Sequence, residues 1–210
     1  MRYYPIYLDL QTRPVLVVGG GAIAEGKTEQ LLAAGARVTV VSPNLTVRLS
    51  QLSEQGEIVY AAREFDESDL DGVALVISAT DNQPVNEAVA QAAHARNLLY
   101  NIVDQVPLCN FITPALVTRG DLQITISTGG GSPSVAQLVK RQIGELIGEE
   151  YDELLKLATW LRNELKARGV SYNARRDLMN EFLSLELVEL LRIGNRAEAE
   201  RRAYQVLANL

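Results

Sequence analysis

Residues 13–41 constrain the fold more than any other stretch of the chain. Residues 13–18 (RPVLVV) are a nearly unbroken apolar run, which suits a strand buried on both faces. Gly19, Gly20 and Gly21 follow it. Residues 22–34 then carry Ile23, Leu31 and Leu32 and stop at Gly35, as an amphipathic helix with its terminator does. Residues 37–41 (RVTVV) form a second strand pattern, ended by Ser42-Pro43. Two strands joined through a helix pair in parallel, so this stretch calls for a βαβ unit.

The alternation continues. Residues 57–60 read as a short strand, and residues 73–79 (VALVISA) as a fully buried one. Residues 84–96 read as a helix entered through Asp81-Asn82-Gln83, and residues 98–103 (LLYNIV) as a strand ending at Asp104. Between residues 54 and 71 there are seven acids against one base, Arg63, which reads as a solvated loop and helix face. Beyond Asp104 the character changes. Residues 122–127 (LQITIS) alternate like a half-buried strand. Thr128-Gly129-Gly130-Gly131-Ser132-Pro133 is a second Gly-rich turn, predicting a helix with Ser132 as N-cap and Pro133 in the first position. Val135, Leu138, Val139, Ile143, Leu146 and Ile147 share one face of that helix. From residue 151 onward only helices are predicted, over 151–167, 174–191 and 196–207, broken at Gly169 and Gly194. The segment boundaries expected are 1–113, 114–148 and 149–210.

Composition removes several functions. The chain has 20 Lys and Arg against 26 Asp and Glu, a net charge of −6, which disfavours generic nucleic-acid binding. Cys109 and His94 are the only residues of their kinds, so neither an intrachain disulfide nor a Cys/His zinc site is available, and no metal site is expected. The amino terminus lacks a signal-peptide core, and no apolar run approaches the roughly 20 residues of a membrane span. The expectation is a soluble, cytoplasmic protein without nucleic-acid or membrane partners.

Gly19-Gly20-Gly21-Ala22-Ile23-Ala24 fits the G-x-G-x-x-G/A fingerprint, and it lies between a strand and a helix as the fingerprint requires. Gly19 permits the turn, Gly21 lets backbone approach a pyrophosphate, and Ala24 keeps the helix against the sheet. The α/β pattern is therefore expected to be a Rossmann-type dinucleotide-binding domain. The acid usually found about 20 positions on, which holds the adenosine ribose, is absent. Ser42, Pro43 and Asn44 stand there instead, which leaves NAD and NADP both open.

Three further groups stand at strand ends. Thr80-Asp81-Asn82 can contact ligand or cap the following helix, and Asn86 lies one turn on. Asn101 interrupts an apolar strand, so its amide faces either a hydrogen bond or a site. Asp104 can serve as a general base or as the turn former before Gln105-Val106-Pro107. The second Gly-rich turn, with Ser127, Thr128, Gly129 and Ser132, is an anion site or a plain turn, and Arg119, Lys140 and Arg141 are its candidate cations. His94 reads as exposed, Cys109 as a small buried residue, and Lys27 as solvated or ion-paired.

Taken together, these motifs resemble one family. They run from Pro5-Ile6-Tyr7-Leu8-Asp9-Leu10 through Val17-Val18-Gly19-Gly20-Gly21 with Lys27, and Val38-Thr39-Val40-Val41-Ser42-Pro43. They continue through Ala79-Thr80-Asp81-Asn82, Asn101-Ile102-Val103-Asp104 and Ser127-Thr128-Gly129-Gly130-Gly131-Ser132-Pro133. The sequence is similar, over about residues 4–140, to the precorrin-2 dehydrogenase and sirohydrochlorin ferrochelatase family, the siroheme-synthase amino-terminal region. The resemblance implies NAD-dependent oxidation of precorrin-2 to sirohydrochlorin. It also implies a homodimer built largely by the segment after the nucleotide domain. In some members ferrous iron is inserted into sirohydrochlorin as well. The resemblance makes Asp104 the catalytic residue, and makes Gly21-Ala22-Ile23 and Ser42-Pro43-Asn44 the NAD contacts. An NAD-sensing module without chemistry, and a chelatase without redox activity, are the competing readings. Gly26 departs from the arginine common before Lys27 in the family, and Thr128 from a common serine.

Overall fold

A computed structural model describes residues 2–210. The contacts divide the chain into two compact units, one ending at Thr113 and the other spanning Pro114–Leu210. The segments 114–148 and 149–210, expected from the sequence to be separate, both fall within this second unit.

The first unit contains β1 (Pro14–Val18), α1 (Ala22–Ala33), β2 (Arg37–Val41), α2 (Val47–Glu54), β3 (Ile58–Ala61), β4 (Leu75–Ser78), α3 (Gln83–Ala95) and β5 (Leu99–Ile102). The five strands pair in parallel in the order β3-β2-β1-β4-β5, with Val15 opposite Val38 on one side and Leu75 on the other. Side chains alternate across a strand, so β1 feeds both faces. Val15 and Val17 join Ala24 and Leu31 of α1 and Leu49 and Leu52 of α2 in one cluster. Leu16 and Val18 join Val89, Ala92 and Ala93 of α3 in the other. Coverage of both faces explains the near-continuous apolar strands. The chain leaves β1 toward β2 on one side and returns to β4 on the other, so the sheet has its switch point beside β1. In open parallel sheets ligands bind at the strand carboxyl ends at such a point.

The sequence pattern does not predict helix α2. Its signal is local and short: Thr46 accepts a hydrogen bond from the Leu49 amide, and Leu49 and Leu52 are buried. The acidic stretch beyond β3 is not wholly irregular. A single 3₁₀ turn, Glu67–Leu70, closes it through a capping box between Asp66 and Asp69.

The second unit opens with an antiparallel hairpin, β6 (Ala115–Arg119) and β7 (Leu122–Ile126), followed by α4 (Pro133–Leu146). Of these two strands, alternation predicts β7 alone. Ser132 caps α4 by accepting from the Val135 amide, with Pro133 in the first turn, as predicted. Four helices follow: α5 (Glu150–Ala167), α6 (Tyr172–Phe182), α7 (Leu185–Arg192) and α8 (Arg196–Ala208). They bury Leu161, Leu165, Phe182, Leu187, Leu191, Ala199 and Leu207 together. The single helix expected over 174–191 is two. Ser184 accepts from the Leu187 amide and starts α7 afresh, and this cap outweighs the continuous apolar pattern.

Candidate functional site: a dinucleotide cleft

All five strands of the first unit end at one cleft of about 950 Å³. Gly19–Gly21 follow β1, Ser42–Asn44 follow β2, Arg63 and Glu64 follow β3, Thr80–Asn82 follow β4, and Asp104 follows β5. The three glycines do different work. Gly19 has φ +117°, and a Cβ on it would drive into the Ala79 carbonyl at the end of β4, so the turn from β1 into α1 needs glycine. Gly20 has ordinary φ, but a Cβ there would strike the Asn44 carbonyl and lie 2.9 Å from Ser42 Oγ. Its carbonyl accepts from the Thr46 amide at 2.9 Å, which ties the β2 loop to the Gly-rich turn. Sequence pattern does not reveal that role, because it belongs to a contact with a distant loop.

A Cβ on Gly21 would meet no protein atom within 4 Å, so nothing inside the protein demands glycine there. Gly21 is the N-cap of α1, and no side chain caps that helix. The first-turn N–H groups of Ala22 and Ile23 are thus left for an outside acceptor, at the positive end of the helix dipole. A pyrophosphate supplies such an acceptor, and the space a Cβ would take is the space its approach requires. The residues present fit a dinucleotide. Ala24 is fully buried against the sheet, as the fingerprint demands.

The loop after β4 is held from below. Asn86 is 2% exposed; its Oδ1 accepts from Ser78 Oγ at 2.7 Å and its Nδ2 donates to the Thr80 carbonyl at 3.1 Å. Asn82 caps α3 through the Val85 amide, while Asp81 faces the cleft without a cap role. Replacing Asn86 by Leu strands the Ser78 hydroxyl and the Thr80 carbonyl. Urea unfolding is expected to show a loss of about 1–3 kcal/mol, with a weaker grip on dinucleotide because the loop loosens.

Asp104 has φ +61°, a left-handed conformation that Asp and Asn tolerate better than other side chains with a Cβ. Its flanks are fixed: Val103 donates to the Ser78 carbonyl and Gln105 to the Ile102 carbonyl. Its exposed carboxylate therefore projects from a rigid turn at the rim of the cleft. Lys27 differs from expectation. It is half-buried and donates to Thr113 Oγ1 at 3.1 Å. Burial pushes its ammonium below the usual lysine range, and the negative charge of Asp104 opposes that shift.

Two candidates from the sequence are engaged inside the protein: for Asn101 the structure favours the hydrogen bond over a cofactor contact, and Arg119 is not free for an anion. Asn101 is buried and does not line the cleft; its amide donates to the Phe111 carbonyl at 3.0 Å and lies 3.6 Å from Cys109 Sγ. The polar interruption of the strand is a hydrogen bond within the protein. Arg119 is spent on the Thr118 and Gly144 carbonyls at 2.7 and 2.9 Å and on Glu149 at 3.3 Å, so it anchors the end of α4. Lys140 and Arg141 make no ion pair among the described residues, and in the second Gly-rich turn Ser127, Thr128 and Ser132 bond to the turn itself. Cys109 is buried, donates to backbone carbonyls, and is pushed up by burial, away from thiolate chemistry. His94 is exposed and lies edge-on to Tyr100. Among the described residues no group of His, Cys, Asp or Glu could hold a metal ion. Among them, too, no helix is long and apolar enough to cross a membrane.

Sequence reasoning misses Arg63, Glu64 and Thr46. The first two follow a strand, so the strand-end rule is the available signal, masked by the acidic run around them.

Comparison with known proteins agrees with this geometry. Residues 6–115 match the family described as "Putative NAD(P)-binding", and residues 119–146 match "Sirohaem biosynthesis protein central". Siroheme synthase of Xylella fastidiosa is 42% identical over 198 residues, covering 94% of this chain and 42% of that protein. Siroheme synthase of Pseudomonas paraeruginosa is 38% identical over 208 residues, covering 99% and 45%. The chain thus spans less than half the length of these relatives. The solved structure "SirC, precorrin-2 dehydrogenase" superposes with a TM-score of 0.83 at 27% identity, covering 99% of this chain and 100% of that one. With a Gly-rich cradle behind β1, a family match over residues 6–115 and a match to the siroheme-biosynthesis central segment behind it, this chain belongs to that NAD(P)-binding family.

Proposed function

We propose that this chain oxidises precorrin-2 to sirohydrochlorin with NAD as hydride acceptor. The observation that carries the reading is one cleft holding both a glycine, Gly21, that no protein atom demands and a carboxylate on a rigid turn. The relatives' names supply the substrate. When bound, NAD accepts the hydride that leaves a saturated carbon of the macrocycle. Gly21 and the first turn of α1 hold the pyrophosphate, and Ser42 with Asn44 meets the adenosine ribose. Asp104 takes the proton lost as conjugation extends, or holds a pyrrole N–H while it is lost. The exposed position of Asp104 suits exchange of that proton with water. A sensing module would need the cradle but not the carboxylate.

The substrate carries many carboxylates and the chain is acidic, so local cations must receive it. Lys140 and Arg141 are assigned that role, and Arg119 is not, being already engaged. Lys140→Gln with Arg141→Gln is expected to raise KM for precorrin-2 about tenfold, with kcat nearly unchanged, in steady-state assays. Unaltered KM would remove Lys140 and Arg141 from the reading. The exposed apolar side chains of Val135, Leu138 and Leu146 on α4 favour a homodimer, measurable by light scattering. A cytoplasmic location follows from the same chemistry, since the route consumes soluble intermediates and NAD.

The deciding assay is anaerobic. Precorrin-2 is generated, purified protein and NAD or NADP are added, and sirohydrochlorin absorbance is followed. NAD-dependent product supports the dehydrogenase. Folded protein that binds NAD but forms no product moves the reading to a sensing module. Ferrous iron is then added to sirohydrochlorin: insertion must release two pyrrole protons, and Asp104 is the carboxylate assigned to accept them.

A further inference from the structure

The carboxyl end of β2 lacks the acid that usually fixes an NAD ribose, so another part of the cleft must set the choice between NAD and NADP. Strand β3 lies beside it. Tyr60 of β3 donates its hydroxyl to the Ser42 carbonyl at 3.0 Å, which ties the two strand ends together. Arg63 and Glu64 follow β3 and line the cleft with Ser42, Pro43 and Asn44. Among the described lining residues Arg63 carries the only positive charge; Glu64, Asp81 and Asp104 are negative. An arginine in this region ordinarily welcomes the 2′-phosphate of NADP.

Arg63 is not available for that. Its two terminal nitrogens reach Asp69 Oδ2 and Oδ1 at 2.8 and 2.6 Å, and one also donates to the Glu64 carbonyl at 3.0 Å. The fork-to-fork geometry holds the guanidinium in one orientation. Asp69 is held in turn. Its side chain is 9% exposed, and its Oδ2 accepts from the Asp66 amide at 2.9 Å. The pair is neutral, and Glu64 leaves this end of the cleft negative.

We propose that Asp69 makes the cleft selective for NAD by withholding Arg63 from the 2′-phosphate of NADP. The inference rests on the dinucleotide reading of the cleft and deepens it. A phosphate dianion placed beside Ser42 and Asn44 meets Glu64 and no free cation, whereas the ribose hydroxyl of NAD meets neutral hydrogen-bonding groups.

The test is calorimetric titration of the whole chain with NAD and with NADP. Wild type is expected to bind NAD at least about tenfold tighter. Asp69→Asn keeps an oxygen for the Asp66 amide but releases the guanidinium. NADP is expected to tighten about tenfold while NAD stays within about twofold. The paired variant Arg63→Gln with Asp69→Asn removes both charges and should lose that gain, returning NADP to the wild-type affinity. A folded Asp69→Asn that gains nothing for NADP overturns the proposal. So does a paired variant that binds NADP tenfold worse than wild type, because Arg63 would then already serve the phosphate. A wild type that binds both dinucleotides equally overturns the selection alone. A wild type that binds neither overturns the dinucleotide reading beneath it.

Discussion

The Asp104→Asn variant is expected to lose about 10²–10⁴-fold in turnover of precorrin-2 while its NAD affinity stays within about twofold. Asparagine is the informative replacement. It has the shape of aspartate and tolerates φ near +61°, so the turn after β5 survives and only the proton acceptor goes. Alanine would add about 1–2 kcal/mol of left-handed strain at the same position and blur the comparison. Single-turnover absorbance of sirohydrochlorin and NAD titration, run on the same preparation, separate chemistry from binding. Turnover at the wild-type rate would remove Asp104 from the mechanism and leave the cleft as a dinucleotide site alone.

The second large effect is a contrast between two glycines two residues apart. Gly19→Val must place a branched side chain at φ +117° and into the Ala79 carbonyl. Backbone strain of about 1–3 kcal/mol adds to overpacking of about 1–3 kcal/mol. Against a typical domain stability of about 5–15 kcal/mol, Gly19→Val is expected to unfold far earlier in urea or not to accumulate as folded protein. Gly21→Val has open space around it and ordinary φ, −84°. Its melting temperature should fall only slightly, since valine is a poorer N-cap than glycine, yet NAD affinity should fall about 100-fold, because the valine fills the cradle above α1. Circular dichroism and calorimetry on the two variants decide it. Tight NAD binding by Gly21→Val would mean that the pyrophosphate does not approach α1 through this turn.

Local patterns in the chain reveal much of the first unit and little of what stabilises its loops. The β1-turn-α1-β2 unit is legible because apolar runs, a glycine turn and a helix terminator are each local signals with one common solution. The cap of α4 is legible for the same reason, since Ser132-Pro133 acts on its own first turn. Helix α2 and strand β6 are short and weakly patterned, and they form because Leu49 and Leu52 fill the core and β7 offers a partner edge.

Residue type and strand-end position alone determined the α/β fold, its dinucleotide-type Gly-rich turn after the first strand, and a carboxylate, Asp104, at the end of its last parallel strand. Only the tertiary structure decided how the polar side chains are spent. Asn101 turned to the Phe111 carbonyl and Arg119 to the Gly144 carbonyl, while Gly20 proved necessary to the approach of Asn44 and Arg63 was locked on Asp69. Each depends on a partner outside its own local pattern that the fold brings within a few ångströms. A buried amide or a guanidinium is claimed by whichever acceptor lies nearest in space, and hydrophobic periodicity carries no record of that neighbour.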